Sequence, residues 1–287
     1  MPQGDNPVWK DYILHKEPDD ETAPGSLKVH KDVWSPQLKN RRDILVYLPP
    51  SYEHGTWGYP VIYMHDGQNL FDPMTSFAGE WEVDETIEGL SREGLEAIVV
   101  GIPNSGEQRL DEYSPFADPA HGGGGRGDQY VAFIVETVKP LVDRSFRTLP
   151  DRPYTGIIGS SMGGLISLYA FFLRPDTFGF TGGMSPSLWF ANGAIFDYIE
   201  QAPFTPGKIY LDVGTREGAG PPARAKSAQK RYPPDESNLR RMATLLESKG
   251  YRRPHDLLYI EEEGARHRET AWARRLPDAL RFLLGVS

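Results

Sequence analysis

Residues 152–176 read RPYTGIIGSSMGGLISLYAFFLRPD, and they hold two kinds of periodicity joined by a turn. Residues 154–158, YTGII, are short, β-branched and apolar, which is the pattern of a buried strand. Residues 164–173, GLISLYAFFL, are long enough for a buried helix. Between them stand Ser160 and Ser161, flanked by Gly159, Gly163 and Gly164. A helix start with a serine N-cap explains such a turn. So does a nucleophile elbow, which requires strand, sharp turn and helix in that order. In the frame G-x-S-x-G, Ser161 takes the nucleophile position and Ser160 the intervening one.

A serine hydroxyl is a poor nucleophile unless a base lies within hydrogen-bond reach. Seven histidines are available. His15, His30 and His54 precede the core strands, His121 lies in a glycine-rich loop, and His255 begins the last strand. His267, in residues 264–275 (GARHRETAWARR), sits between that strand and the final helix. In α/β-hydrolases the order along the chain is serine, acid, histidine, and only His267 has that placement. The acid is expected after residues 207–215, GKIYLDVGT. Glu217 lies just past the strand end; Asp212 is a rival inside the strand, and Asp235 lies beyond a polar insertion. The acid's task is to orient the imidazole and stabilise its charged form.

Acyl transfer also needs two backbone N–H donors where negative charge develops. The amide of Met162, next after Ser161, is one candidate. Residues 63–72, YMHDGQNLFD, offer the other: Gly67 permits a close turn and Gln68 would donate. An EF-hand frame begun at Asp66 places Phe77 where a bidentate Glu belongs, so that reading fails. The run HGGGGRGD (121–128) has no preceding strand and no Gly-Lys-Ser/Thr, so it is no phosphate loop. Neither a metal nor an organic cofactor is expected.

The rest of the chain agrees with an α/β fold. Continuous apolar runs at 59–67, 96–106, 154–160, 207–215 and 255–264 read as buried parallel strands. Helical patterns at 128–146, 162–173, 236–250 and 268–284 alternate with them, which implies a mostly parallel sheet with helices on both faces. Residues 27–33 and 41–52 read as an antiparallel pair at one edge. Residues 1–26 read as a surface arm, and 27–287 as one domain. Long loops at 103–127, 185–207 and 216–234 follow strands, where ligands of an open parallel sheet bind. Trp81, Tyr113 and Trp189 lie in loops and could line a substrate pocket or serve as core. Arg109 could hold an anionic group or pair with Glu112.

The 287 residues can bury a large core, and with no cysteine there is neither disulfide nor thiolate chemistry. A net charge of -9 argues against nucleic acid or an anionic membrane as partner. No signal peptide is visible, so the expected location is cytoplasmic.

Taken in order, residues 41–52, 63–72, EYSP (112–115), GSSMGG (159–164), MSPSLWF (184–190), DVGTRE (212–217) and GARHRETAWARR resemble the putative-esterase group of α/β-hydrolases. That group includes feruloyl and other carbohydrate esterases, trilactone siderophore esterases, S-formylglutathione hydrolases and mycolyltransferases. The resemblance implies Ser161 as nucleophile, Glu217 as acid and His267 as base. It implies a carboxylic ester hydrolase acting on aryl, sugar or siderophore-type esters. Acyl transfer by the same triad, or a hydrolase fold used only for binding, are the alternatives.

Overall fold

In the computed structural model, residues 8–15, 25–77, 79–217 and 235–285 are described. Nine strands form one sheet: β1 (Lys10–Asp11), β2 (Ser26–Ser35), β3 (Asn40–Leu48), β4 (Val61–His65), β5 (Ile98–Ile102), β6 (Thr155–Ser160), β7 (Phe180–Met184), β8 (Lys208–Gly214) and β9 (Leu257–Glu262). Their spatial order is β1-β2-β3-β5-β4-β6-β7-β8-β9. The first three strands and the β3–β5 pair are antiparallel, and from β5 through β9 every pair is parallel. The helices are α1 (Val83–Ser91), α2 (Arg109–Glu112), α3 (Gly127–Phe133), α4 (Lys139–Ser145), α5 (Met162–Leu173), α6 (Phe190–Gln201), α7 (Asp235–Lys249) and α8 (Glu269–Leu284).

The pleat sorts strand side chains between two cores. Val61 and Tyr63 face the cluster built with α3, α5, α6 and α7. Ile62 and Met64, one residue out of phase, face the cluster built with α1 and α8. Both faces being covered, the strands need no polar alternation, and β4, β5 and β6 are buried along their whole lengths.

Two strands are not visible in the sequence pattern. β7 reads FTGGM, and its two glycines remove the β-branched signal. A Cβ on Gly182 would meet the Ile158 side chain at 3.2 Å, and one on Gly183 would meet Leu211 at 3.1 Å. The glycines thus let neighbouring strand side chains fill the space. β1, only two residues long, pairs with β2 and lies within the N-terminal arm. The arm is anchored further by Trp9 against Phe146 and by hydrogen bonds from Tyr12 and His15 to Asp72. Helix α6, also unforeseen, opens with left-handed residues Ala191, Asn192 and Gly193, which break the helical period.

The loop at 103–127 carries a buried ion pair that corrects one sequence expectation. Glu112 pairs with Arg42, not with Arg109. The guanidinium nitrogens of Arg42 donate to both Glu112 oxygens at 2.9 and 2.8 Å, and the two side chains are 4% and 0% exposed. Deleting one partner strands a charge in the core, so Arg42→Ala is expected to cost about 3–5 kcal/mol of stability, read by chemical denaturation.

The strand order positions the site. The chain leaves β4 for β5 on one side, then crosses back to β6 on the other. Such a reversal opens a crevice at the carboxyl ends of the strands. The loops after β4 and β6, which carry Asp66–Gln68 and Ser161, meet there.

Candidate active site

Ser161 stands between β6 and α5 with φ 55° and ψ −122°, a conformation that costs a non-glycine residue about 1–3 kcal/mol and persists where the fold over-determines it. The flanking glycines show why the turn has this composition. A Cβ on Gly159 would lie 2.7 Å from the Gly163 carbonyl carbon, and one on Gly164 would lie 3.0 Å from Pro186. A side chain at Gly159 would therefore clash with the helix start, and one at Gly164 would crowd the loop after β7. Ser160 is buried beside Ser161, and the amide of Met162 belongs to the first turn of α5, where N–H groups lack intrahelical partners.

Glu217 lies three residues past β8, its side chain fully buried. Its Oε2 is 2.9 Å from His267 Nδ1. Its Oε1 accepts the Ser185 hydroxyl at 2.6 Å and the Gly214 amide at 2.7 Å. Burial alone would raise this carboxyl, but the hydrogen bonds from His267, Ser185 and Gly214 hold it below the usual range. His267 rests edge-on against Trp272, ring centroids 5.0 Å apart.

The rival acid has another task. Asp212 is fully buried and accepts hydrogen bonds from Tyr210 and from the Ser185 amide. Burial pushes its carboxyl up to about 7, against the pull of Arg275, whose Nε lies 3.2 Å away. Asp235 begins α7, and its side chain lies outside the described residues.

A cavity of about 370 Å³ is lined by Ser160, Ser161 and His267 together with Asp66, Gln68, Asn104, Arg109, Phe77, Trp81 and Trp272, among others. Gln68 sits in a short turn after Asp66, a residue with φ 53°. A Cβ on Gly67 would come within 2.6 Å of the β5 backbone, which explains the glycine. Asp66 is held by Arg109 through two 2.8 Å contacts and by Asn104 at 2.6 Å. Although burial opposes it, Arg109 keeps the Asp66 carboxyl below its ordinary range. The lining is therefore part ion pair and part aromatic. Trp81 and Trp272 have centroids 5.5 Å apart, and Phe77 is 93% exposed at the rim.

Two nominated aromatics lie elsewhere. Tyr113 is fully buried in the core. Its hydroxyl accepts the Asp66 amide and its ring underlies the Arg109 guanidinium at 4.9 Å, so it supports the ion pair from beneath. Trp189 packs edge-on against His121, at 5.0 Å, and is not among the residues lining this cavity. From the same loop, Ser187 reaches Ser161, the two Oγ atoms lying 3.2 Å apart. Ser187, Ser185, Trp272 and Arg275 were not singled out by sequence reasoning. The only signal for the two serines is their place in MSPSLWF, directly after β7.

The fold is that of an α/β-hydrolase. The sequence profile described as "Putative esterase" matches residues 35–283, and the chain belongs to that family. Among similar proteins is the "Uncharacterized protein YbbA" of Bacillus subtilis (strain 168), 30% identical over 91% of this chain and 97% of that one. The ferri-bacillibactin esterase BesA of the same organism is 29% identical over 58% of this chain and 60% of its own length. The structure of the siderophore hydrolase EstA from Aspergillus nidulans superposes with a TM-score of 0.69, at 22% identity, covering 96% of this chain and 100% of that one. Other relatives, BesA among them, are named as siderophore esterases, and with the family match this chain is a carboxylic ester hydrolase. Among the described residues, no helix is long and apolar enough to cross a membrane.

Proposed function

We propose that the chain hydrolyses aryl or siderophore-type esters through an acyl-enzyme on Ser161, with His267 as base and Glu217 as the acid that orients it. The observation that carries this reading is the Glu217–His267 hydrogen bond of 2.9 Å in a cavity that His267 shares with the strained Ser161. Nδ1 of His267 faces the carboxylate, which leaves Nε2 to take the serine proton. The alkoxide attacks the ester carbonyl. The amides of Met162 and Gln68 hold the oxyanion, and the alcohol leaves with the proton from His267. Water, deprotonated by the same imidazole, then attacks the acyl-enzyme and releases the acid.

The substrate class is supported by the lining of the cavity. Phe77 offers an exposed ring to a flat acyl group and the buried Trp81 and Trp272 give the cavity apolar lining, while the Arg109–Asp66 pair and Asn104 offer polar contacts to the acyl substituents. Relatives named as siderophore esterases agree with this chemistry. A panel of acetyl, butyryl, benzoyl and feruloyl esters, with enterobactin as the siderophore ester, tests it. Aryl-bearing esters are expected to exceed acetyl esters in kcat/KM by tenfold or more. Because Phe77 is exposed, Phe77→Ala should raise KM several-fold for aryl esters and leave the acetyl ester unchanged. A preference for acetyl esters, indifferent to Phe77, would exclude the aryl reading.

A further inference from the structure

Ser185 follows β7 with φ 47° and is 3% exposed. Its hydroxyl oxygen lies 2.9 Å from Trp272 Nε1, 3.0 Å from Arg275 Nη2 and 2.6 Å from Glu217 Oε1. An indole N–H and a guanidinium can only donate. Both therefore point protons at Ser185 Oγ, and the one proton that Ser185 owns goes to Glu217.

The consequence passes along the chain of bonds. Glu217 Oε1 receives protons from Ser185 and from the Gly214 amide, which leaves Oε2 for His267. An ionised carboxylate only accepts, so His267 Nδ1 must donate, and Nε2 is left as the acceptor. By sending its proton to Oε1, Ser185 favours the ionised carboxylate, and the ionised carboxylate selects the imidazole tautomer. Further charge lies close by. Arg275 is within 3.2 Å of Asp212, 3.5 Å of Glu262 and 3.8 Å of Glu217, while Glu269, Asp66 and Arg109 line the cavity that His267 enters.

We propose that Ser185, locked by Trp272 and Arg275, is a positioning residue for catalysis: it fixes Glu217 as a proton acceptor and thereby sets the His267 tautomer that can deprotonate Ser161. This rests on the reading of Ser161, Glu217 and His267 as the triad. The hydroxyl also shares the negative charge of Glu217, which otherwise falls more fully on the imidazole.

The test uses Ser185→Ala and Ser185→Gly beside Glu217→Gln, each checked for folding by thermal melting. Both Ser185 variants are expected to lose about ten- to a hundredfold in kcat, the scale of one hydrogen bond to a charged group, with KM within about twofold. The acid limb of their kcat/KM profile should move to higher pH, because an unshared carboxylate charge stabilises the imidazolium more. The downfield proton resonance of His267 Nδ1–H should shift as well. Glycine adopts φ 47° without strain, so a role confined to backbone shape would leave Ser185→Gly at wild-type rate. Wild-type kcat with an unmoved acid limb in folded Ser185→Gly, while Glu217→Gln is crippled, would overturn the positioning role alone. If Glu217→Gln is also fully active, the triad reading itself fails.

Discussion

Ser161→Ala is expected to abolish ester turnover, by about a millionfold in kcat, while melting close to the wild type. Loss of the nucleophile from a triad that acts as a unit has an effect of this order. The fold has little reason to respond. Alanine removes a single oxygen, which lies 3.2 Å from the Ser187 Oγ, and it meets the same φ of 55° that serine already bears. The glycines that allow the turn, Gly159 and Gly164, are untouched. Residual turnover should then measure what the oxyanion donors and substrate binding contribute without covalent chemistry. Steady-state hydrolysis of an activated aryl ester, followed with enough enzyme to see a 10⁶-fold loss (on the order of the stated effect), checks the claim. Substantial activity in a pure, folded Ser161→Ala protein would move the nucleophile elsewhere, with Ser160 and Ser187 the neighbours to test.

Glu217→Gln is expected to lower kcat by about ten thousandfold, the scale seen when a triad acid becomes its amide. The surroundings of Glu217 dictate how the amide would sit. Two N–H and O–H donors, from Gly214 and Ser185, converge on Oε1, so the amide oxygen must take that place. The NH₂ is then left facing His267 Nδ1, which must turn acceptor to receive it. The imidazole proton moves to Nε2, where a base is needed, and Ser161 loses its proton acceptor. This outcome is stereochemical, so KM should change little and added salt should not restore the rate. Comparing Asp212→Asn separates the two acids. Asp212 bonds Tyr210, the Ser185 amide and Arg275 rather than His267, so its amide should affect stability before it affects the imidazole.

Much of this arrangement can be read in the sequence because the elements that carry it have short-range signatures. Residues 154–173 announce strand, turn and helix by composition alone, and His267 is singled out by its place after the last apolar run. Glu217 is legible as the first acid beyond β8. What escapes the sequence is set by contacts between distant segments. β7 is disguised by Gly182 and Gly183, which are there to admit Ile158 and Leu211 from neighbouring strands. Arg109 and Glu112 stand three residues apart on a helical turn and look like a pair, yet each reaches a partner on another strand or loop, Asp66 and Arg42. Tyr113 and Trp189 are aromatic loop residues, and only tertiary packing decides that one underlies the Arg109 guanidinium and the other meets His121. The Ser185–Trp272–Arg275 group joins residues nearly ninety positions apart, a separation that no local pattern encodes. Part of the third long loop, residues 218–234, lies outside the described residues.

The measurement that tests the account most directly is covalent capture by an aryl organophosphonate, read by intact mass and peptide mapping, on wild type, Ser161→Ala and His267→Ala. The account predicts a single adduct on Ser161 in the wild type, none in Ser161→Ala, and strongly slowed labelling in His267→Ala, where the serine has no base. An adduct on Ser160 or Ser187, or labelling of Ser161 that proceeds at the same rate without His267, would contradict it.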